Sequence, residues 1–267
     1  MKKRFTIGSS LSSLSILVNM SKIWAYLTVI ASASPIGDDV PSLAIFNQWQ
    51  YENPPVLFNW QDEKENSREM DSYSNPTKTQ IKWSCSATLN DKMYIFGGEP
   101  DGGEVVTNVL EIKDCGIVDT GISLPWALVG HSCVVKEEAV YICGSLYGAT
   151  KCTKFDGMKF EEVSSTKIGH TYGAMVNYKQ NPIILGGGSS ENKVDYDQVE
   201  QLEEDSWISI PSMLQPMKHF SAISYLNPAN KFEVMITFGG YSSVSEPITK
   251  SYWYHGGYWF SGPGNIL

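Results

Sequence analysis

Apolar positions along the chain fall into short, strand-length runs that recur in company with glycine. "KMYIFGG" (92–98), "YICGS" (141–145), "IILGGG" (183–188) and "MITFGG" (235–240) are each an apolar strand running into Gly. Glycine at a strand end takes backbone angles closed to other residues and lets a neighbouring segment come close. The first glycines, Gly97, Gly144, Gly186 and Gly239, are 47, 42 and 53 residues apart, and a period of about 40–50 residues is that of propeller blades. Ahead of each run stands an alternating segment, "WSCSATL" (83–89), "GHSCVV" (130–135), "GHTYGAM" (169–175) or "KHFSAI" (218–223), joined to it by the turn residues "NDK", "KEE", "NYKQNP" or "LNPANK". Each unit therefore opens with a hairpin. A later aromatic strand follows in three units, around Phe160, Trp207 and Trp259, whereas "KDCGIVDTGISLP" in the first unit has no aromatic residue there.

This pattern predicts an all-β chain with four antiparallel strands per unit, stacked because a lone blade cannot bury both of its faces. The order of a His-containing strand, a strand ending in Gly-Gly and a later Trp resembles the kelch repeat of β-propellers, over roughly residues 81–267. The second unit departs from it, with Ser145 in place of the second glycine. The resemblance implies a kelch-type β-propeller in which Gly97, Gly98, Gly144, Gly186, Gly187, Gly239 and Gly240 are structural repeat positions, together with His131, His170, His219, Phe160, Trp207 and Trp259. Kelch propellers typically close with six or seven blades, so four recognisable blades imply an incomplete or truncated ring. Residues 34–80 hold two aromatic, strand-like runs around Trp49 and Trp60 that read as a partial fifth blade, and Gln61 to Lys78 reads as a polar loop. An unclosed ring exposes strand edges and favours self-association.

With 267 residues, 42% hydrophobic and 12% aromatic, the chain can build a substantial core. Its first 33 residues carry Lys2, Lys3, Arg4 and Lys22 and no acid. From Met20, "MSKIWAYLTVIASASP" has a basic start, an apolar run from Ile23 to Ile30 and the small residues Ala31-Ser32-Ala33. Residues 1–33 thus read as a secretory signal peptide, starting at Met1 or Met20 and cleaved after Ala33; a membrane anchor and a mitochondrial transit segment are the alternatives. Cleavage would take the net charge from −9 to −13 and leave Arg68 as the single arginine. Nucleic acid and anionic membranes are disfavoured as partners by that charge. Cys85, Cys115, Cys133, Cys143 and Cys152 show neither C-x-x-C spacing nor a nearby His, so a metal site is weakly supported. They are either disulfides with one thiol left over, Cys143 and Cys152 being placed to meet across adjacent strands, or small buried hydrophobes.

His131, His170 and His219 read as occupying the same place in successive units. Equivalent positions lie on different blades, so a shared metal site is disfavoured and each His is expected to bond its own blade's backbone. Galactose oxidase carries a kelch-type propeller, but no copper constellation of its kind can be assigned here, and one arginine cannot form a sialidase triad. The carboxylates of "EPDGGE" (99–104), "VDYDQVE" (194–200) and "EEDS" (203–206) read as solvated charge rather than a hydrolytic pair. "SYWYHGGYWF" (251–260) reads as blade packing. No cofactor is implied. The expectation is a secreted, non-enzymatic module that binds a protein partner, basic by preference, through the loops after the glycine groups. Glu99, Asp101, Glu104, Tyr147, Glu191, Asn192, Tyr241 and Glu246 are the candidate contacts. The alternatives are an extracellular carbohydrate-binding or carbohydrate-acting propeller and an intracellular, cytoplasmic kelch adaptor.

Overall fold

The computed structural model describes residues 27–35, 41–47, 56–59, 67–69, 81–100, 104–113, 116–189, 194–226, 231–243 and 246–264. Strands β1 (Leu27–Pro35), β2 (Pro41–Asn47), β3 (Val56–Asn59) and β4 (Ser67–Glu69) form sheet I in that order. Next come β5 (Ile81–Lys82), β6 (Cys85–Leu89), β7 (Lys92–Phe96), β8 (Glu99–Pro100), β9 (Asn108–Lys113) and β10 (Gly116–Ser123). Of these, β6, β7, β9 and β10 make sheet II, while β5 pairs with β8. Sheet III contains β11 (Ser132–Lys136), β12 (Ala139–Ser145), β13 (Gly148–Phe155) and β14 (Phe160–Val163). The following strands are β15 (Ala174–Tyr178), β16 (Asn181–Leu185), β17 (Gly188–Ser189), β18 (Val194–Asp195), β19 (Val199–Glu203) and β20 (Ser206–Ile210). Here β15, β16, β19 and β20 make sheet IV, and β17 pairs with β18. Sheet V is β21 (Ser221–Leu226), β22 (Glu233–Phe238), β23 (Lys250–His255) and β24 (Tyr258–Gly264). Among the described residues all pairing is antiparallel, there is no helix, and five sheets have four strands.

The predicted hairpins are present as β6–β7, β11–β12, β15–β16 and β21–β22. The N-terminal part of the chain departs from expectation. It forms a complete four-stranded sheet rather than a partial blade, and β4 lies within the stretch read as a polar loop. The fourth strand is β1, which runs through Ala33 and pairs with β2 from Leu27↔Asn47 to Pro35↔Pro41.

Sheets II to V pack face to face, with β6, β11, β15 and β21 side by side as the inner strands. Alternation along each strand divides the side chains between two interfaces. In sheet IV, Ala174, Val176, Tyr178, Ile183, Leu185 and Val199 pack on Met235, Tyr252, Tyr254 and Trp259 of sheet V. Its other face, with Met175, Ile184, Leu202 and Trp207, packs on Cys143, Cys152, Val134, Tyr141 and Val163 of sheet III. Sheets II and III share a core around Phe96, Phe155 and Phe160. The repeated tryptophans have one role: Trp207 Nε1–H donates to Ser164 O and Trp259 Nε1–H to Pro211 O, both at 2.8 Å. Each ties an outer strand to the segment leaving the preceding sheet.

The repeated glycines have a packing role. A Cβ on Gly97, Gly144 or Gly186 would lie 2.7 Å from the backbone oxygen of Leu128, His170 or Met217. Those oxygens belong to the segment leading into the next sheet, so at Gly97, Gly144 and Gly186 the backbone of one sheet touches the approach to the next.

Candidate functional site

The segments leading into β6, β11, β15 and β21 share a geometry. Trp83, Gly130, Tyr172 and His219 each stand two residues before their inner strand, and their φ values are 54°, 68°, 60° and 54°. The N–H of Gly130 donates to Trp83 O (2.9 Å), that of Tyr172 to Gly130 O (2.7 Å) and that of His219 to Tyr172 O (2.8 Å). A hydrogen-bonded chain thus crosses sheets II to V at one end of the inner strands. Left-handed backbone is costly for residues with a Cβ and persists where the surroundings enforce it, often at binding sites. At Gly130 a Cβ would meet the Tyr172 ring at 2.5 Å, so glycine is required there.

Three of these four residues carry rings, and the rings meet. Trp83 lies edge-on to Tyr172 (centroids 6.1 Å apart), Tyr172 stacks on His219 (4.2 Å), and His219 is edge-on to Tyr241 (6.5 Å). Burial pushes the Tyr172 hydroxyl pKa up, aided by the charges of Glu99 and Tyr147. Glu99 sits in β8 opposite Lys82, and Tyr147 is exposed at the β12–β13 turn. Tyr241 exchanges backbone hydrogen bonds with Lys218, whose ammonium pairs with Asp195 at 2.9 Å. Glu104 and Glu246 are exposed; the latter's N–H is held by Ser242 Oγ. The structure therefore gathers Glu99, Tyr147 and Tyr241 around a ring cluster at one end of the fold. Asp101, Glu191 and Asn192 lie outside the described residues.

Between the inner strands is a cavity of about 330 Å³. Its lining has no Asp, Glu, Lys or Arg among the described residues and is rich in hydroxyls, including Ser86, Thr88, Ser132, Ser221 and Ser224. Four buried atoms of lining residues, Thr88 Oγ1, His131 Nδ1, Ser132 Oγ and Asn177 Oδ1, have no protein hydrogen-bond partner. Buried polar atoms are normally satisfied, so this space suits water or a neutral polar ligand. His131 Nε2–H donates to Phe96 O at 3.0 Å, leaving Nδ1 as an acceptor, and burial lowers the ring's pKa to about 4.

The histidines do not share a position. The ladders align Ser132, Ala174 and Ser221, so His131 matches Gly173 and Phe220, His170 matches Met217, and His219 matches Tyr172. Short extra segments before β15 and inside the β21–β22 turn shift the apparent sequence match. His131 bonds the neighbouring sheet rather than its own, whereas His170 lies between Gly186 O (2.7 Å) and Glu200 Oε2 (3.0 Å) of its own sheet. Glu200 corrects another expectation, because it is buried rather than solvated. Burial pushes its pKa up, but hydrogen bonds from His170 and the Lys167 and Ile168 N–H groups hold it below its ordinary value. Among the described residues no group of three or more His, Cys, Asp or Glu is placed to hold a metal ion.

Of the expected disulfides, Cys143–Cys152 is present between directly paired residues of β12 and β13. Cys85–Cys133 joins the inner strands of sheets II and III. Cys115 lies outside the described residues.

Sequence reasoning missed Trp83, Tyr172 and Lys218. A register count would have found the first two: Trp83, Gly130 and Tyr172 each stand fourteen residues before the first glycine of their sheet.

No protein-family model matches the chain, and no curated protein matches it in sequence. Among solved structures, the one described as "Structure of YjhT" matches with a TM-score of 0.67 at 13% identity, covering 84% of this chain and 81% of that one. At that identity the likeness is one of fold, and the chain is an all-β, propeller-like stack of antiparallel four-stranded sheets.

Proposed function

We propose that the chain is a kelch-type propeller acting outside the cell as a non-enzymatic interaction module, with a protein partner bound at the loop end of sheets II to V. The observation that carries this reading is the ring cluster of Trp83, Tyr172, His219 and Tyr241, held on left-handed backbone and bordered by Glu99 and the exposed Tyr147. Rigid aromatic groups on a fixed scaffold are the usual anchors of protein interfaces. Glu99, whose charge acts on Tyr172, supplies a carboxylate at the cluster that suits a basic partner. Two disulfides accord with an oxidising setting.

The uncharged, hydroxyl-lined cavity favours a second reading, binding of a carbohydrate. One experiment addresses both. Tagged protein is used to capture partners from extracellular extract and is applied to a glycan array, beside Tyr147→Ala and Glu99→Lys. Tyr147 is exposed and Glu99 half-buried. Each is expected to weaken capture of a protein partner by about tenfold or more. Capture unaffected by either would refute the loop-end interface, and glycan binding without protein capture would establish the second reading.

A further inference from the structure

Sheet V has two faces, and the described residues of the chain cover one of them. Ala222, Met235, Tyr252, Tyr254 and Trp259 pack on sheet IV. On the opposite face, Ile223, Ile236, Trp253 and Phe260 form one cross-strand row, and Tyr225, Val234, His255 and Tyr258 the next. Register shows what this face is. Ala174, Val176 and Tyr178 of sheet IV correspond to Ser221, Ile223 and Tyr225 of sheet V, counted from the ladder position before each glycine pair. Tyr178 is 4% exposed, because sheet V covers it; Tyr225, in the same place one sheet on, is 51% exposed. The open face is therefore built as a blade-packing face.

We infer that this face is the interface of a homodimer, in which sheet V of one copy packs against sheet V of another about a two-fold axis. Two observations select a second copy. First, the rows contain no Asp, Glu, Lys or Arg, while the chain carries a net charge of −9, so two acidic chains can meet here without opposing like charges. Second, Tyr225, Phe232, Trp253, Tyr258 and Phe260 are 39–69% exposed. At about 150–250 Å² per aromatic side chain they offer on the order of 500 Å². The partly exposed Ile223, Ile236 and Phe238 bring the face close to the roughly 800 Å² that each partner contributes to a stable complex. Apolar, aromatic and uncharged, the face is complementary to itself, as a two-fold interface requires.

The test is sedimentation of the full chain over a range of concentrations, with Phe260→Glu and, as a milder change at the most exposed ring, Tyr258→Lys. A wild-type dimer is expected, with its dissociation constant raised about a hundredfold by Phe260→Glu and at least tenfold by Tyr258→Lys. Tyr147→Ala, at the loop end, is expected to leave dimerisation unchanged. A wild-type protein that stays monomeric, or a dimer insensitive to both face substitutions, would overturn the inference. So would a monomer whose Trp253 and Phe260 are shielded from hydroxyl-radical footprinting, since the chain would then cover the face itself.

Discussion

At the residue scale, buried ionisable groups decide how the fold responds to acid. Burial lowers the His131 pKa to about 4, and burial with the neighbouring Lys218 charge lowers that of His219 to about 4. The unfolded chain binds these protons near the ordinary 6.5, whereas the folded chain resists until about 4. Their contribution is thus complete above pH 6.5 and is lost as pH falls toward 4. For fully buried His131 it amounts to about 3 kcal/mol. Glu200 behaves oppositely in origin: its folded pKa is depressed below 4.5, so its contribution is complete above pH 4.5 and declines only below that. Thermal melts are expected to show Tm falling between pH 6.5 and 4, with a shallower fall in His131→Asn. A flat wild-type profile across that window would contradict the burial of both rings. The sequence identified these histidines as structural but misaligned them, because the His label repeats while the ladder register does not.

At the element scale, the two disulfides staple different levels of structure. Cys143–Cys152 joins adjacent strands of sheet III across nine residues, and Cys85–Cys133 joins the inner strands of two sheets across 48. In the chain-entropy account a longer closed loop stabilises more, giving about 4 kcal/mol for Cys85–Cys133 and about 2.5 kcal/mol for Cys143–Cys152. Denaturant unfolding of the two double Cys→Ala variants is expected to show the larger loss for Cys85/Cys133; the reverse order would mean that packing at the interface of sheets III and IV outweighs loop closure. The shorter bridge was legible from its turn-rich spacing. Its longer counterpart was not, because it depends on which strands of successive sheets stand side by side.

At the scale of the whole molecule, sheet I changes what secretion would leave behind. Cleavage after Ala33 would remove most of β1 and leave β2 to β4 as a three-stranded remnant. Intact mass of the chain made in a secreting eukaryotic cell, with thiol labelling, is expected to give a start at Ser34, two disulfides and one free thiol. A retained N-terminus with five free thiols would move the protein to the cytoplasm and revive the adaptor reading.

The sequence by itself determined the strand-and-glycine repeat, the antiparallel hairpins and the outer-strand tryptophans. These follow from period-two alternation and turn chemistry, which act over a few residues. Only the tertiary structure decided that sheet I has four strands, that the position holding Trp83, Tyr172 and His219 is a left-handed one where their rings meet, that Glu200 is buried, and that the described residues leave one face of sheet V open. Each of those depends on which sheets meet and in what register, and residues some forty positions apart carry no local mark of the contact they will make.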